Sequence, residues 1–392
     1  MAGPCVKPGC EVFLESPPRW FRWSRMGLLA NQASCTRDFR HVSQMIHQAG
    51  GRLACIFSPQ HGFHAEKQAN MVESDHGIHP LLGTPIYSLY GQVRRPTEEM
   101  LQAIDVLVVD LSDVGTRVYT FGTTLGLCVE AAAEAGLKVV VLDRPNPING
   151  TSVEGNPLKP QWRSFVGRYP IPMRHGLTLG ELARFVVREE GLDCDLEVIP
   201  AAGWRRDRFH PQTGLPWLWP SPNMPSWESA LLYPGLVLLE GTNVSEGRGT
   251  TLPFQVFGAP FVRPSLLLNA LDVRALDGVV LRPVCFEPTF DKWRGEVCCG
   301  FQVHVTEPGR VKPYRLGLAV LKAFLEVHAD RFQWLPPPYE YEYEKKPIDI
   351  LLGDGFLRER LEKGAELPEV EADWQGELEA YRDRRQAGLM YP

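Results

Sequence analysis

Polar side chains gather where the apolar runs of this 392-residue sequence stop. Asn31 follows GLLA, Gln60 and His61 follow CIFSP, Asp110 and Asp113 close DVLVVDLSD, and Asp143, Arg144 and Asn146 follow KVVVL. The segments GTRVYTF, MRHG, PSPNMP and EGTNVSEGRGTT add Arg117, Tyr119, Arg174, His175, Asn223, Glu240, Asn243, Glu246 and Arg248. Two chemistries suit these residue types. Carboxyl groups drawn from Glu73, Glu240, Glu246, Asp110 and Asp113 fit glycoside hydrolysis, in which one acid protonates the leaving oxygen and a second group acts at the other face. His61, His64, His76 and His79 form two H-x2-H pairs, and neutral imidazoles bind zinc. Two of the four lie in the polar stretch ESDHGIHP, where nothing fixes their mutual geometry. Hydrogen-bonding roles are therefore the stronger reading, and no metal or other cofactor is expected.

Plainer roles compete for several of these residues. Asp110 and Asp143 can cap helices or satisfy loop amides, and Arg144-Pro145-Asn146-Pro147 can be a rigid turn. Glu246 and Arg248 can form a solvated ion pair of little worth. Trp217 and Trp219 suit core packing as well as stacking on a sugar face.

The elements that must position these groups alternate in type. RMGLLAN, RLACIF, DVLVVDL, KVVVLD and DLEVIP read as strands, the third as one buried on both faces. Between them lie helical patterns: Thr36 to Gly50, TEEMLQAI, TLGLCVEAAAEAG and TLGELARFVVREEG. This rhythm predicts an α/β fold with a mostly parallel sheet covered on both faces. Ligands of such sheets bind outside the carboxyl ends of the strands, where the polar residues gather. No G-x-G-x-x-G and no lysine-bearing P-loop is present, so nucleotide binding loses its main support. From about Asn269 the pattern changes to two antiparallel strands, GVVLRPVCFEPTF and CCGFQVHVTE, and the helix YRLGLAVLKAFLEVHAD. We expect residues 1–262 to form the cleft-bearing α/β domain and 263–392 a smaller α+β domain closing the cleft. The Pro-rich LPPPYEYEYEKKP between its elements reads as a surface connection.

Composition narrows the partners. A net charge of −6 provides no basic field for nucleic acid or anionic membrane, and no apolar run reaches the length of a membrane span. The first residues lack a basic-then-apolar signal organisation, and nine scattered cysteines do not describe a disulfide framework. A cytoplasmic protein is expected, with the vicinal Cys298-Cys299 as small buried hydrophobes. Oligomeric state is not readable.

Taken in order, GLLANQAS, FSPQHGF, PIYSLYG, RRPTEEML, VLVVDLSDVGTRVYT, VVLDRPNPING, SFVGRYPIPMRHGLTLGELA, GLPWLWPSPNMP and LYPGLVLLEGTNVSEGRGTTLPF resemble the exo-β-N-acetylmuramidases of the NamZ type, long grouped as a domain of unknown function. The resemblance runs from about Met26 to the C-terminus and is weaker beyond Phe261. It implies a Rossmann-like α/β domain carrying the active site, a smaller domain beside it, and no metal or nucleotide. The implied activity is removal of β-linked N-acetylmuramic acid from peptidoglycan-derived fragments, with a small amino-sugar glycoside as the ligand.

One departure stands out. The family turn reads G-P-E-H-G, and its glutamate is the proposed catalytic residue. This chain has Ser58-Pro59-Gln60-His61-Gly62. An amide donates and accepts hydrogen bonds but has no proton to give near pH 7. Three readings follow: a glycosidase whose acid is Glu73 or Glu246 while Gln60 orients substrate or water, a non-catalytic amino-sugar or muropeptide binder, or a glycosidase of altered specificity. The first is favoured. In that reading Glu73, Glu246 and Gln60 carry the chemistry. Asn31, His61, Asp113, Tyr119, Asn146, His175, Asn223 and Asn243 contact the sugar. Arg117, Arg144, Arg174 and Arg248 are the candidate clamp for a lactyl carboxylate, since guanidinium pairs bidentately with carboxylate.

Overall fold

The apolar runs that precede the polar clusters become the strands of one sheet. A computed structural model describes residues 5–69 and 71–392. In chain order the first strands are β1 (Arg25–Ala30), β2 (Arg52–Ser58), β3 (Gly77–Ile78), β4 (Pro85–Ser88), β5 (Val106–Asp110) and β6 (Lys138–Leu142). They are followed by β7 (Glu154–Pro157), β8 (Pro172–Arg174) and β9 (Leu196–Ile199). Seven of these form a sheet in the order β3-β4-β2-β1-β5-β6-β9, while β7 and β8 pair as a separate ribbon. All neighbours in the sheet are parallel except β3 on β4. Counting the parallel strands alone, the order is third-second-first-fourth-fifth-sixth, the doubly wound arrangement. Its direction reverses between β1 and β5, where loops diverge and leave a crevice. Every residue of β5 is buried, as an uninterrupted Val/Leu run covered on both faces requires.

Local signals account for the helices. Thr97 accepts a hydrogen bond from Met100 N and opens Glu98–Gln102. Thr178 and Glu181 form a reciprocal capping box at the start of Leu179–Glu189. The helix expected over Thr36 to Gly50 is confined to Val42–Gln48. Its first part is instead a turn closed by Thr36 N donating to Arg40 O, with Phe39 in the left-handed region at φ 61°.

A second sheet contains β10 (Val256–Ala259), β11 (Val279–Phe286) and β12 (Cys298–Val305), antiparallel in the order β10-β12-β11. The two antiparallel strands expected here form as read, and the helix after them spans Pro313–Val327. One expectation is corrected. Cys299 is not a packed hydrophobe: β11 and β12 set it opposite Cys285, and the two are joined in a disulfide. Its neighbour Cys298 alternates to the other face and is buried as a free thiol.

Helix Pro313–Val327 crosses helix Trp227–Leu236 at Gly317 and Gly235, where each backbone lies so close that a Cβ on either glycine would collide with the other helix. This crossing sets the direction of the chain that leaves Leu236 toward Glu240 and Glu246. Among the described residues, no helix is long and apolar enough to cross a membrane.

Candidate active site

Gln60 sits just past the end of β2, with His61 in the left-handed region at φ 73° and Gly62 at φ 83° turning the chain back. The amide is 4% exposed and engaged at both ends. Thr120, directly before helix Phe121–Glu134, donates its hydroxyl to Gln60 Oε1 at 2.6 Å. Gln60 Nε2 donates to Glu340 Oε1 at 3.2 Å. The other oxygen of Glu340 accepts the Tyr90 hydroxyl at 2.6 Å. A buried carboxyl group thus stands within hydrogen-bond reach of the Gln60 amide.

Glu340 was not singled out from the sequence, and its segment is the main correction. LPPPYEYEYEKKP is irregular, as its prolines require, but it is not merely a surface connection. Tyr339 and Glu340 turn inward and complete the pocket, Glu340 at 4% exposure. The alternation of Tyr and Glu has the period of a strand and puts all its glutamates on the polar face, so it marks none of them as buried.

The same pocket is lined by His61, Tyr119, Thr120, Ser221, Asn223, Tyr233, Glu240, Arg248 and Phe254. Arg248 Nη2 donates to Glu240 Oε1 at 2.6 Å, and Tyr339 donates its hydroxyl to Glu240 Oε2 at 2.6 Å. Arg248 Nε lies 3.2 Å from Glu246 Oε1, and Lys292 Nζ 2.7 Å from Glu246 Oε2. Two carboxylates and two cations therefore balance beneath the pocket, and burying such charges is tolerable only because they pair. Arg248 Nη1 makes no hydrogen bond among the described residues.

Environment separates these acids. Burial opposes ionisation of Glu240, but Arg248 and the Tyr339 hydroxyl outweigh it and hold the group below the usual carboxylate range. Burial pushes Glu246 up, with Asp291 and Glu240 adding to it against Lys292 and Arg248. Burial likewise pushes Glu340 up, reinforced by the Glu240 charge and partly offset by the hydrogen bonds from Tyr90 and Gln60. His61 is lowered to about 4, chiefly by burial. Its Nδ1 lies 2.7 Å from Lys67 O. A carbonyl only accepts, so Nδ1 carries the hydrogen and Nε2 keeps its lone pair.

Other residues expected at the site lie elsewhere. Glu73 has a side chain 53% exposed and pairs with Arg94 at 3.5 Å, outside the pocket lining. Arg117 is buried and spends its guanidinium on the carbonyls of Asn156, Leu351 and Leu352, at 2.7–2.9 Å. Arg174 is 2% exposed and donates to Ile148 O. Arg144 forks onto Asp110 and also donates to Cys35 O. The four arginines do not converge: only Arg248 lines the Gln60 pocket, because the other three satisfy backbone or a buried aspartate.

Asn31, Asn146 and Asn243 each bridge backbone groups, to Pro220 O, Leu177 O and Arg331 O respectively, at 2.8 Å. Asn223 holds Gln68 O at 3.0 Å from within the pocket lining. Asp113 accepts from Gly115 N at 2.7 Å, and His175 Nε2 lies 3.4 Å from it. Both help line a small cavity behind Tyr119. Asp113 and Arg144 also line a Pro/Trp-walled crevice at the β1/β5 reversal.

Three of the four histidines are hydrogen-bonded to different partners, and His64 packs edge-on against Phe63. His76 Nδ1 accepts from Ser88 N, and His79 Nδ1 from Leu81 N and Leu82 N. Among the described residues no three His, Cys, Asp or Glu side chains are placed to hold a metal ion.

Two family models cover nearly the whole chain: the N-terminal part of exo-β-N-acetylmuramidase NamZ matches residues 26–228, and the C-terminal part residues 231–391. The chain belongs to the NamZ family. A relative in Bacillus subtilis (strain 168), peptidoglycan β-N-acetylmuramidase NamZ, is 37% identical over 389 residues, spanning 99% of this chain and 92% of the relative. Crystal structures of two DUF1343 family proteins from Bacteroides fragilis NCTC 9343 share the fold. One has a TM-score of 0.88 at 32% identity and the other 0.75 at 28%, each covering 99% of both chains. The NamZ resemblance seen in the sequence motifs is thus carried by the full chain.

The Gln60 pocket is not the largest cavity. One of about 350 Å³ lies between residues 151–155, 309–314 and 371–382. Its half-buried carboxylate, Glu154, already caps a helix by accepting from Arg315 N at 2.9 Å. At Gln60, by contrast, carboxyl groups of differing proton affinity meet at the carboxyl edge of the sheet.

Proposed function

We propose that this protein is a glycoside hydrolase of the exo-β-N-acetylmuramidase type, with Glu340 as its general acid. The observation that carries the assignment of Glu340 is its hydrogen bond, at 3.2 Å, to the amide in the family's glutamate position. An acid must hold its proton at working pH, and burial favours the neutral form of Glu340. In the step we infer, the Glu340 proton passes to the glycosidic oxygen, the bond from that oxygen to C1 breaks, and the leaving sugar departs as an alcohol. The carbonyl oxygen of the substrate's own 2-acetamido group bonds to C1, giving a cyclic oxazolinium; water then bonds to C1 as the C1–O bond of the ring breaks, and its proton passes to the Glu340 carboxylate, restoring the acid.

Gln60 has one N–H and one lone pair left after its bonds to Glu340 and Thr120, enough to orient the acetamido group or the water. His61 Nε2 supplies a further acceptor. Arg248, with its Nη1 unspent, is the candidate partner for a lactyl carboxylate. The ligand is a small muropeptide or disaccharide fragment, and a cytoplasmic place of action matches seven free cysteines beside one disulfide.

Hydrolysis of an aryl β-N-acetylmuraminide by wild type, Glu340→Gln and Gln60→Glu tests this reading. Wild type should turn over, and Glu340→Gln should lose about 10²–10⁴-fold in kcat, the share a positioned acid supplies. Undiminished turnover by Glu340→Gln would remove the acid from Glu340. Binding without turnover by wild type, with turnover by Gln60→Glu, would make the chain a sugar-binding member of the family.

A further inference from the structure

Glu340 and Tyr341 are the central residues of a tight reversal. Tyr339 N donates to Glu342 O at 2.9 Å and Glu342 N to Tyr339 O at 3.0 Å. Both central residues are left-handed, Glu340 at φ 46° and Tyr341 at φ 66°. This is the signature of a type I′ hairpin turn, whose positions favour Asn-Gly because a Cβ is crowded there. Glu-Tyr is a poor sequence for it, so surrounding contacts must hold the turn.

Those contacts converge on Arg94. Its guanidinium carbon lies 4.2 Å from the ring centre of Tyr341 and 4.5 Å from that of Tyr90. Arg94 also pairs with Glu73 at 3.5 Å, and the Tyr341 hydroxyl reaches the same Glu73 oxygen at 3.4 Å. Tyr90, the ring beneath, donates to Glu340. The stack therefore runs from the turn, through the cation, to the ring that hydrogen-bonds the carboxyl group.

We propose that Arg94 is a positioning residue: set against both Tyr90 and Tyr341, whose rings meet edge to face at 72°, it holds the disfavoured 339–342 turn in the setting that presents Glu340 to the pocket. The inference rests on Glu340 being the acid. It also explains why Glu73 is outside the pocket yet tied to the segment that closes it. The pocket holds about 30 Å³ as it stands, against roughly 300–1,000 Å³ for ligand pockets in general. A sugar therefore requires the lining to open, and the Arg94 contacts favour return of the 339–342 turn to this setting. The charged and titratable groups facing Glu340 are Tyr90 on one side and Tyr233, Glu240, Arg248 and Tyr339 on the other, with Arg94, Glu73 and Tyr341 in the outer layer.

The test uses the full chain and the aryl β-N-acetylmuraminide, with kcat, KM and the pH profile of kcat/KM measured for each variant. Arg94→Ala should lower kcat about tenfold, a part of what a positioned acid contributes. It should also move the alkaline limb of the profile to lower pH, because a Glu340 released toward water deprotonates more readily. Arg94→Lys should not restore either, since an ammonium lacks the flat guanidinium face that packs on an aromatic ring. Adding Tyr341→Gly to Arg94→Ala should recover most of kcat, because glycine lets the turn hold itself.

Unchanged kcat and limb position in Arg94→Ala would overturn the proposal. So would a loss that Tyr341→Gly fails to rescue, which would reduce Arg94 to general support of the fold. Activity retained by Glu340→Gln would instead remove the reading beneath it, and that variant separates the two failures.

Discussion

At the residue scale the site is a set of groups whose burial decides their protonation, and His61 gives that a consequence for stability. Its imidazole is 8% exposed and held near 4 rather than the ordinary 6.5. The unfolded chain therefore binds one more proton than the native protein between about pH 6.5 and 4. Stability tied to His61 is fully present above that window and is lost as pH falls through it. A displacement of this size corresponds to about 3 kcal/mol at the acid end. His210, also lowered to about 4, acts in the same direction. Thermal unfolding followed from pH 8 to pH 4 should show His61→Gln losing less stability across the window than wild type. Parallel curves for the two proteins would mean that His61 is already charged, or solvated, in the native state. Gln60 and His61 were visible in the sequence as polar residues following an apolar run, and Tyr119, Asn223, Glu240 and Arg248 as members of polar loop segments. Glu340 was not, because burial of a carboxyl group in an irregular segment comes from contacts at Gln60 and Tyr90, 280 and 250 residues away.

At the scale of elements, the strands were legible because a buried parallel strand must be a continuous apolar run, as β5 and β6 are. The helix caps at Thr97 and Thr178 were legible for a similar local reason. What local pattern does not contain is which helices touch. Helix Trp227–Leu236 meets helix Pro313–Val327 backbone to backbone at Gly235 and Gly317, and neither glycine carries a sequence mark of that crossing. Beyond the crossing the chain passes through Glu240 to Arg248, so the position of the Glu240–Arg248–Glu246–Lys292 network depends on it. Gly317→Ala should therefore force the helices apart and cost about 1–3 kcal/mol, the usual penalty of overpacking. A melting temperature lowered by several degrees, together with weaker turnover, is the expected result. An unchanged melting temperature would show that the crossing relaxes without strain and does not set the pocket. Arg117 and Arg174 illustrate the converse. Their sequence context suggested an anion clamp, but each serves carbonyls that irregular segments leave without partners.

On the scale of the whole molecule, the pocket is assembled from distant parts of the chain: Gln60 and His61 after β2, Thr120 before a helix, Glu240 and Arg248 beyond the helix crossing, and Tyr339 and Glu340 in the Pro-rich turn. The apolar packing is equally shared. One buried cluster runs from Leu29 in β1 through Leu107, Leu125 and Leu182 to Phe257, Phe301, Phe324 and Tyr381. The other face of the first sheet has a cluster of its own, around Met26, Leu28, Ile56, Val108 and Val140, but the larger cluster is shared by the two sheets, so loss of either half exposes apolar surface of the other. Chemical denaturation should then give one transition, with tryptophan fluorescence and far-UV circular dichroism coinciding. The tryptophans report on both halves, since Trp204 and Trp227 lie on the first side and Trp293 and Trp374 on the second. Free N-acetylmuramic acid provides the sharper form of the experiment. A ligand bound only by the native pocket, at 100 times its Kd, adds about 2.7 kcal/mol to unfolding, and a pocket built from both halves must pass that gain to both at once. The midpoints seen by the two probes should therefore rise together. A sugar that delays one probe and leaves the other in place would mean that the halves unfold separately and that the sugar is held by one of them alone.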